Sequence, residues 1–250
     1  MGIVNQYGVE FKGDQENILE RISQIDSIVS DFDGTDVKTP LKKAAMSYIS
    51  SPRTLLEKPE LIPWGIKAVL KKLIQGKDAE SGLWKELSEI LEEDTEKMIE
   101  NLYAEQSCCS QDKLKEFILP GVIELYNTFK ETEKFYISRN YKKIISLYSE
   151  ITGVPDENIF TGANKWILLE KIIQENPQNK RYLIRGDSKS DDEVLAVADF
   201  YKEKGNIDDY VGVAIGNSSH SDYRLVDVVV GDNQQGLVEL INDYKKSSSD

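Results

Sequence analysis

The sequence predicts an α/β fold on a parallel, doubly wound sheet, with a helical insertion after the first core strand. Three observations predict it. Short apolar, β-branched runs alternate with amphipathic stretches, which implies right-handed βαβ units. The rhythm breaks once, between Asp36 and Leu119. Two of the apolar runs end in carboxylate clusters, where an open α/β sheet binds its ligands.

Taken in order, Asp14 to Ile25 reads as an acidic helix leading into the first core strand, Ser27 to Ser30. The segment that follows carries no strand pattern. It has helical periodicity at Trp64 to Gln75, Ser81 to Leu91 and Thr95 to Ser107. Pro40, Pro52, Pro59 and Pro63 punctuate its beginning and Pro120-Gly121 its end. Its first half is rich in lysine and the stretch Asp78 to Glu116 is acidic, a split that fits solvated helix faces or cations turned toward an anionic substrate. The domain reading is a core of 1–35 and 120–250 with a helical insertion at 36–119.

Beyond it, strands are expected at Lys134 to Ser138, Ile159-Phe160, Arg181 to Arg185, Val211 to Ile215 and Asp227 to Val230. Helices are expected at Gly121 to Lys130, Tyr141 to Thr152, Lys165 to Gln174 and Asp191 to Lys204. The polar end, Lys245 to Asp250, is expected to fray.

Composition excludes several classes. In 250 residues, 40% hydrophobic, there is enough apolar material for a core. No apolar run approaches the roughly 20 residues of a membrane-spanning helix, and Met1 to Glu10 carries no secretory signal pattern. With 31 Lys plus Arg against 44 Asp plus Glu, the formal charge of −13 argues against a nucleic-acid partner. The two cysteines, Cys108 and Cys109, are adjacent, so no disulfide framework exists and a reducing, cytoplasmic setting is expected. With His220 the single histidine, a zinc site lacks ligands and a Ser-His-Asp triad lacks its GxSxG turn. Carboxylates are the chemical resource that remains. Oligomeric state leaves no trace in the sequence.

Asp31-Phe32-Asp33-Gly34-Thr35 follows the first core strand directly. A DxD at a strand end is either a turn whose aspartates cap backbone amides or a chain bent around a ligand. A second cluster, Gly186-Asp187-Ser188-Lys189-Ser190-Asp191-Asp192, follows the strand Arg181 to Arg185. Asp191 opens a helix and so has a capping alternative; Asp187 has less structural excuse. If the two strands are neighbours, Asp31, Asp33, Asp187 and Asp191 converge. Such a cluster repels itself unless a cation is present, and all-oxygen ligation suits Mg²⁺. Ser138 ends another strand, and its hydroxyl with the amides of Arg139 and Asn140 is placed to hold phosphate oxygens. Lys165 opens a helix 22 residues before Asp187.

This ordered set resembles the haloacid dehalogenase (HAD) superfamily, in its phosphatase branch: DFDGT as first motif, Ser138 as second, Lys165 as third and GDSKSDD as fourth. The resemblance spans about Ser27 to Val230 and is most similar to phosphoserine-phosphatase-type members. It implies a Rossmann-like core with Asp36 to Leu119 as cap. It implies Asp31 as nucleophile, Asp33 as general acid and base, and phosphoryl binding by Ser138, Arg139 and Lys165. It also implies Mg²⁺ held by Asp31, the Asp33 carbonyl and Asp187, with Asp191 in or behind the ligand set. The expected activity is Mg²⁺-dependent hydrolysis of a small phosphorylated metabolite through an aspartyl-phosphate. A sugar phosphomutase with the same aspartate, or a non-catalytic binding protein of that fold, stays open. Two departures stand out: Asp36 where members often carry an apolar residue, and Ser190 where the phosphoserine-type pattern has asparagine.

Overall fold

The computed structural model describes residues 5–38, 103–104, 107–188, 191–216 and 225–248. The chain divides into two compact units, Met1–Lys38 with Cys109–Asp250, and Thr39–Cys108. Nearly all of the second unit lies outside the described residues, and so do the helices expected at 64–75 and 81–91 and most of that at 95–107. His220 also falls outside them. The division lies three residues inside the expected start of the insertion and eleven inside its expected end; Val37 bridges to Ile118 and Leu119 donates to the Asp36 carbonyl at 2.8 Å.

The first unit is built on a seven-stranded sheet: β1 (Val9–Phe11), β2 (Ser27–Ser30), β3 (Glu133–Ser138), β4 (Ile159–Thr161), β5 (Arg181–Gly186), β6 (Asp209–Ile215) and β7 (Val228–Val230). Across the sheet the order is β1-β7-β6-β5-β2-β3-β4, and every pair except β1 with β7 is parallel. β2 is central. The chain leaves it toward β3 and β4, then returns to its other side for β5, β6 and β7, so the strand order reverses at β2. That reversal opens a crevice at the carboxyl ends of β2 and β5.

The helices are α1 (Gln15–Ser23), α2 (Gln111–Lys115), α3 (Val122–Thr128), α4 (Lys142–Ser146), α5 (Ser149–Thr152), α6 (Lys165–Glu175), α7 (Asp191–Glu203) and α8 (Gln235–Ser247). Asp14 starts α1 by accepting the Asn17 N–H at 2.8 Å, the usual service of an N-cap aspartate. On one face of the sheet, Leu169, Ile172 and Ile173 of α6 and Val194, Leu195 and Ala198 of α7 bury Val29, Phe135, Ile137, Tyr182 and Ile184. Fully burying each such aliphatic side chain contributes about 1.5–3 kcal/mol. Strand side chains alternate, so Ser30, Tyr136 and Arg185 point to the opposite face. They form one transverse row, because Ser30 pairs with Tyr136 on one side and Arg185 on the other.

Each core strand expected from the sequence is present, within two residues of its expected ends. Three local expectations need correction. Tyr141 to Thr152 is two short helices, because Tyr148 turns inward and packs edge-on against Phe32 at 5.3 Å. β1 is an added antiparallel edge that the sequence pattern did not mark. The polar end is helical as far as Ser247, since α8 is anchored by buried Leu237, Val238, Leu240 and Ile241, and Lys245 lies 3.9 Å over the Phe129 ring.

Candidate active site

Three loops that leave the carboxyl ends of β2, β3 and β5, together with the start of α6, build the site. Asp31 follows β2 and is only 4% exposed. One of its carboxylate oxygens accepts the Phe32 N–H at 2.8 Å and the other lies 2.7 Å from Lys165 Nζ. Lys165 is the first residue of α6 and is itself buried, so its ammonium enters the sheet end from the helix start. The same Nζ lies 2.8 Å from Asp191 Oδ1. The ammonium therefore bridges a carboxylate after β2 to one after β5.

Asp191 is the first residue of α7, and its other oxygen accepts both the N–H (2.9 Å) and the hydroxyl (2.8 Å) of Ser188. The carboxylate thus reaches back across the β5 loop. Asp187, half-buried, completes the group. Asp31, Asp187 and Asp191 each offer an oxygen, and these oxygens lie within 4.8 Å of one another.

Two glycines make this approach possible. Gly34 has φ +81°, and a Cβ there would stand 2.0 Å from Asp187 Oδ2. A Cβ on Gly186 would stand 2.3 Å from Asp191 Cγ. Any side chain at either position would push a carboxylate away. The glycine of the DxDG run is therefore needed twice, for its left-handed backbone and for the space it leaves.

The electrostatics follow from burial. Burial drives the Asp31 carboxyl well above the usual aspartate range; Lys165 opposes that, and Asp191 and Asp187 push the same way as burial. For Lys165, burial works against the charge, but Asp31 and Asp191 outweigh it and raise the ammonium above its ordinary value. Asp31 and Asp191 share the ammonium of Lys165, and Asp187 adds a third carboxylate beside them. A hard oxygen donor set of this kind, spaced around a common point, fits Mg²⁺.

Asp33 is half-buried on the loop closed by the hydrogen bond from Gly34 N–H to the Val37 carbonyl at 2.9 Å. Burial, with the neighbouring Cys109 and Asp33, raises the Tyr148 phenol above its ordinary range, so a neutral hydroxyl flanks this carboxylate. Ser138 ends β3, one strand over from Asp31, and its Oγ accepts the Asn140 N–H at 3.0 Å. Asn140 is buried, with Oδ1 on the Tyr141 N–H at 2.7 Å and Nδ2 without a hydrogen-bond partner among the described residues. Arg139 is exposed, and its Nε donates to the Ala163 carbonyl at 3.2 Å. Its guanidinium is thereby tied to the loop that delivers Lys165.

The structure thus brings Asp31, Lys165, Asp187 and Asp191 together directly. Asp33, Ser138 and Arg139 lie on the loops around them. Sequence reasoning missed a second buried group beneath the DxD loop. Arg185 Nη1 lies 2.8 Å from Asp36 Oδ1, with both side chains at 0% exposure. Tyr126 donates its hydroxyl to Asp36, and Arg185 Nη2 donates to Gln234 Oε1. Gln234 Nε2 in turn donates to the Thr35 carbonyl at 2.6 Å. The signal was a guanidinium inside an otherwise apolar strand, together with Asp36 in a place where an apolar residue is common.

β2 lies inside the sheet with the order reversing beside it and a carboxylate cluster at its carboxyl end, as the resemblance to the haloacid dehalogenase-like fold implies, and the chain has that fold. Among solved structures it is similar to a phosphoserine phosphohydrolase-like protein from Francisella tularensis, at 18% identity over 87% of this chain and 100% of that one, TM-score 0.54. It is also similar to DsGPDH of Dunaliella salina, at 16% identity over 92% of this chain but 37% of that one, TM-score 0.59. A haloacid dehalogenase-like protein from Burkholderia xenovorans LB400 aligns at 13% identity over 85% of this chain and 97% of that one, TM-score 0.48. No protein-family model and no curated protein matches the sequence.

Proposed function

We propose that the protein is a Mg²⁺-dependent phosphatase that hydrolyses a small phosphorylated metabolite through an aspartyl-phosphate on Asp31. The observation that carries this reading is the buried Asp31–Lys165–Asp191 arrangement, with Lys165 Nζ at 2.7 and 2.8 Å from the two carboxylates, at the switch point of the sheet. Asp31, Asp187 and Asp191, with the Asp33 carbonyl, would hold the ion. Bound there, it would neutralise phosphoryl oxygens and lower the repulsion an anionic nucleophile meets.

Asp31 attacks phosphorus; a new P–O bond forms to its carboxylate while the bond to the leaving oxygen breaks. Asp33 gives its proton to that oxygen. Water then attacks the aspartyl-phosphate, Asp33 takes a proton from it, and the P–O bond to Asp31 breaks to release inorganic phosphate. Lys165 and Ser138 bind the transferring group, the lysine by charge and the serine by its hydroxyl. Arg139 adds a cation at the loop over the site. The insertion expected at 36–119 would select the leaving group. The two cysteines form no disulfide, which supports a reducing, cytoplasmic setting. No helix among the described residues is long and apolar enough to cross a membrane.

The test is phosphate release from an aryl phosphate and a metabolite panel, with and without Mg²⁺, beside Asp31→Asn. Metal-dependent release that falls at least about a thousandfold in the variant is expected. An Asp31→Asn protein with full turnover would sink the covalent mechanism. Isomerisation of a sugar phosphate without phosphate release would favour a mutase instead. Silence together with absent Mg²⁺ binding would favour a binding protein.

A further inference from the structure

We propose that the buried Asp36–Arg185 pair, with Tyr126 and Gln234, is the positioning frame that locks the DxD loop to the end of β5, and so sets Asp31 and Asp187 against each other. It rests on the site reading above and concerns residues that touch neither substrate nor metal.

The network joins four segments. Asp36 belongs to the loop after β2, Arg185 is the residue before Gly186-Asp187, Tyr126 lies on α3, and Gln234 precedes α8. Its reach into the site is short. Gln234 holds the Thr35 carbonyl at 2.6 Å. Arg185 Nη1 lies 3.4 Å from Ser30 Oγ, which donates to the Asp31 carbonyl at 2.9 Å, and the Asp31 N–H donates to the Arg185 carbonyl at 2.9 Å. Arg185 therefore reaches the nucleophile's own peptide directly through its backbone and, by way of Ser30, through its side chain.

The charges of the four groups balance. One guanidinium faces one carboxylate, the Tyr126 hydroxyl spends its proton on Asp36, and the Arg185 guanidinium carbon lies 5.7 Å from the Tyr126 ring centroid. No charge is left over for a ligand, unlike the carboxylate cluster above it. An apolar replacement of similar volume would be as stable or more so, because the pair's attraction must first offset the cost of dehydrating both ions. What an apolar pair cannot supply is direction. A planar guanidinium bonded on two sides fixes the angle between loop and strand, and outer groups that orient ligands typically alter metal affinity or turnover by about 10–100-fold when lost.

The test compares wild type with Asp36→Leu/Arg185→Met and with Gln234→Met, in the full chain. Mg²⁺ binding is read by calorimetry, loop order by amide hydrogen exchange at Gly34, Asp36 and Val37, and turnover on an aryl phosphate. The double variant is expected to fold and to bind Mg²⁺ about tenfold or more weakly. Its loop amides exchange faster, and kcat falls while KM changes little. Gln234→Met, which removes the hydrogen bonds to Thr35 and from Arg185 and no charge, is expected to shift exchange and Mg²⁺ affinity in the same direction by less. A folded double variant with wild-type Mg²⁺ affinity and wild-type exchange overturns the proposal. So does a Gln234→Met protein unchanged in both, should the double variant fail to fold. A wild type that binds Mg²⁺ yet turns over nothing would overturn the phosphatase reading alone, since the binding and exchange comparisons need no substrate.

Discussion

Two buried ion pairs lie on opposite sides of the same short loop, and they differ in whether they are complete. Asp36–Arg185 is balanced, one charge against one, with hydrogen bonds from Tyr126 and to Gln234. Asp31–Lys165 is unbalanced, because Lys165 also faces Asp191, and Asp187 lies within 4.8 Å of both carboxylates. A buried charge needs a partner, so a charge-balanced pair calls for no further ion, whereas three carboxylates around one ammonium among the described residues favour a cation. The proposed frame is the lower pair and the proposed site the upper one. Burial alone would not separate them, since both are nearly sealed from solvent.

The largest effects should come from breaking each pair by removing its cation. Arg185→Met leaves Asp36 buried and unpaired, and is expected to lower stability by about 3–5 kcal/mol. For a unit of this size that is a fall in Tm on the order of 10 °C. Lys165→Met should also destabilise the metal-free protein, but saturating Mg²⁺ should restore most of the loss by binding only the folded state. Added Mg²⁺ should leave Arg185→Met largely unrescued. Thermal melts with and without Mg²⁺ decide it, and equal rescue of the two variants would erase the distinction between frame and site.

A smaller effect sharpens the geometry between them. Gly34→Ala puts a Cβ at φ +81° and 2.0 Å from Asp187 Oδ2. The backbone cost is about 1 kcal/mol, so the protein should still fold, while displaced Asp187 weakens Mg²⁺ binding. Metal titration and melting of the same sample read the two separately. A variant that loses stability but keeps its Mg²⁺ affinity would show that Asp187 does not need this approach.

How legible each pair was in the sequence follows the same divide. β2 and β5 are buried on both faces and therefore read as continuous apolar runs, and the carboxylates after them fall where ligands bind. Asp31, Lys165, Asp187 and Asp191 are accordingly all legible in the sequence. Asp36 was noticed only as a departure and Arg185 only as the end of a strand. Pairing them requires knowing that β2 and β5 are neighbours in register, Ser30 against Arg185, which is long-range information. β1 escaped because three residues at an edge carry too little pattern. The helix α8 had its signal, with Leu237, Val238, Leu240 and Ile241 at helical spacing, but the lysines and serines that follow drew attention instead.

The smallest effect concerns a third cluster, at the amino ends of β6 and β7, which is balanced like the frame but partly exposed. Arg21 Nε lies 2.6 Å from Asp209 and Nη1 lies 2.9 Å from Asp227, with side chains roughly a quarter exposed. Burial alone would raise the Asp209 carboxyl, but hydrogen bonds from Arg21 and Lys202 outweigh it and hold it below the usual range. A carboxyl depressed in the folded state contributes stability above its unfolded value of about 3.9, and that stability disappears as pH falls through the lower folded value. Arg21→Met should therefore cost no more than about 1 kcal/mol at neutral pH, the scale of a solvent-screened pair. The gap in Tm between wild type and variant should close as the solution is acidified below the ordinary aspartate range. A gap that stays constant through that acidification would mean Arg21 stabilises by packing its stem against the sheet end, and balance of charge would then matter in this protein only where water is excluded.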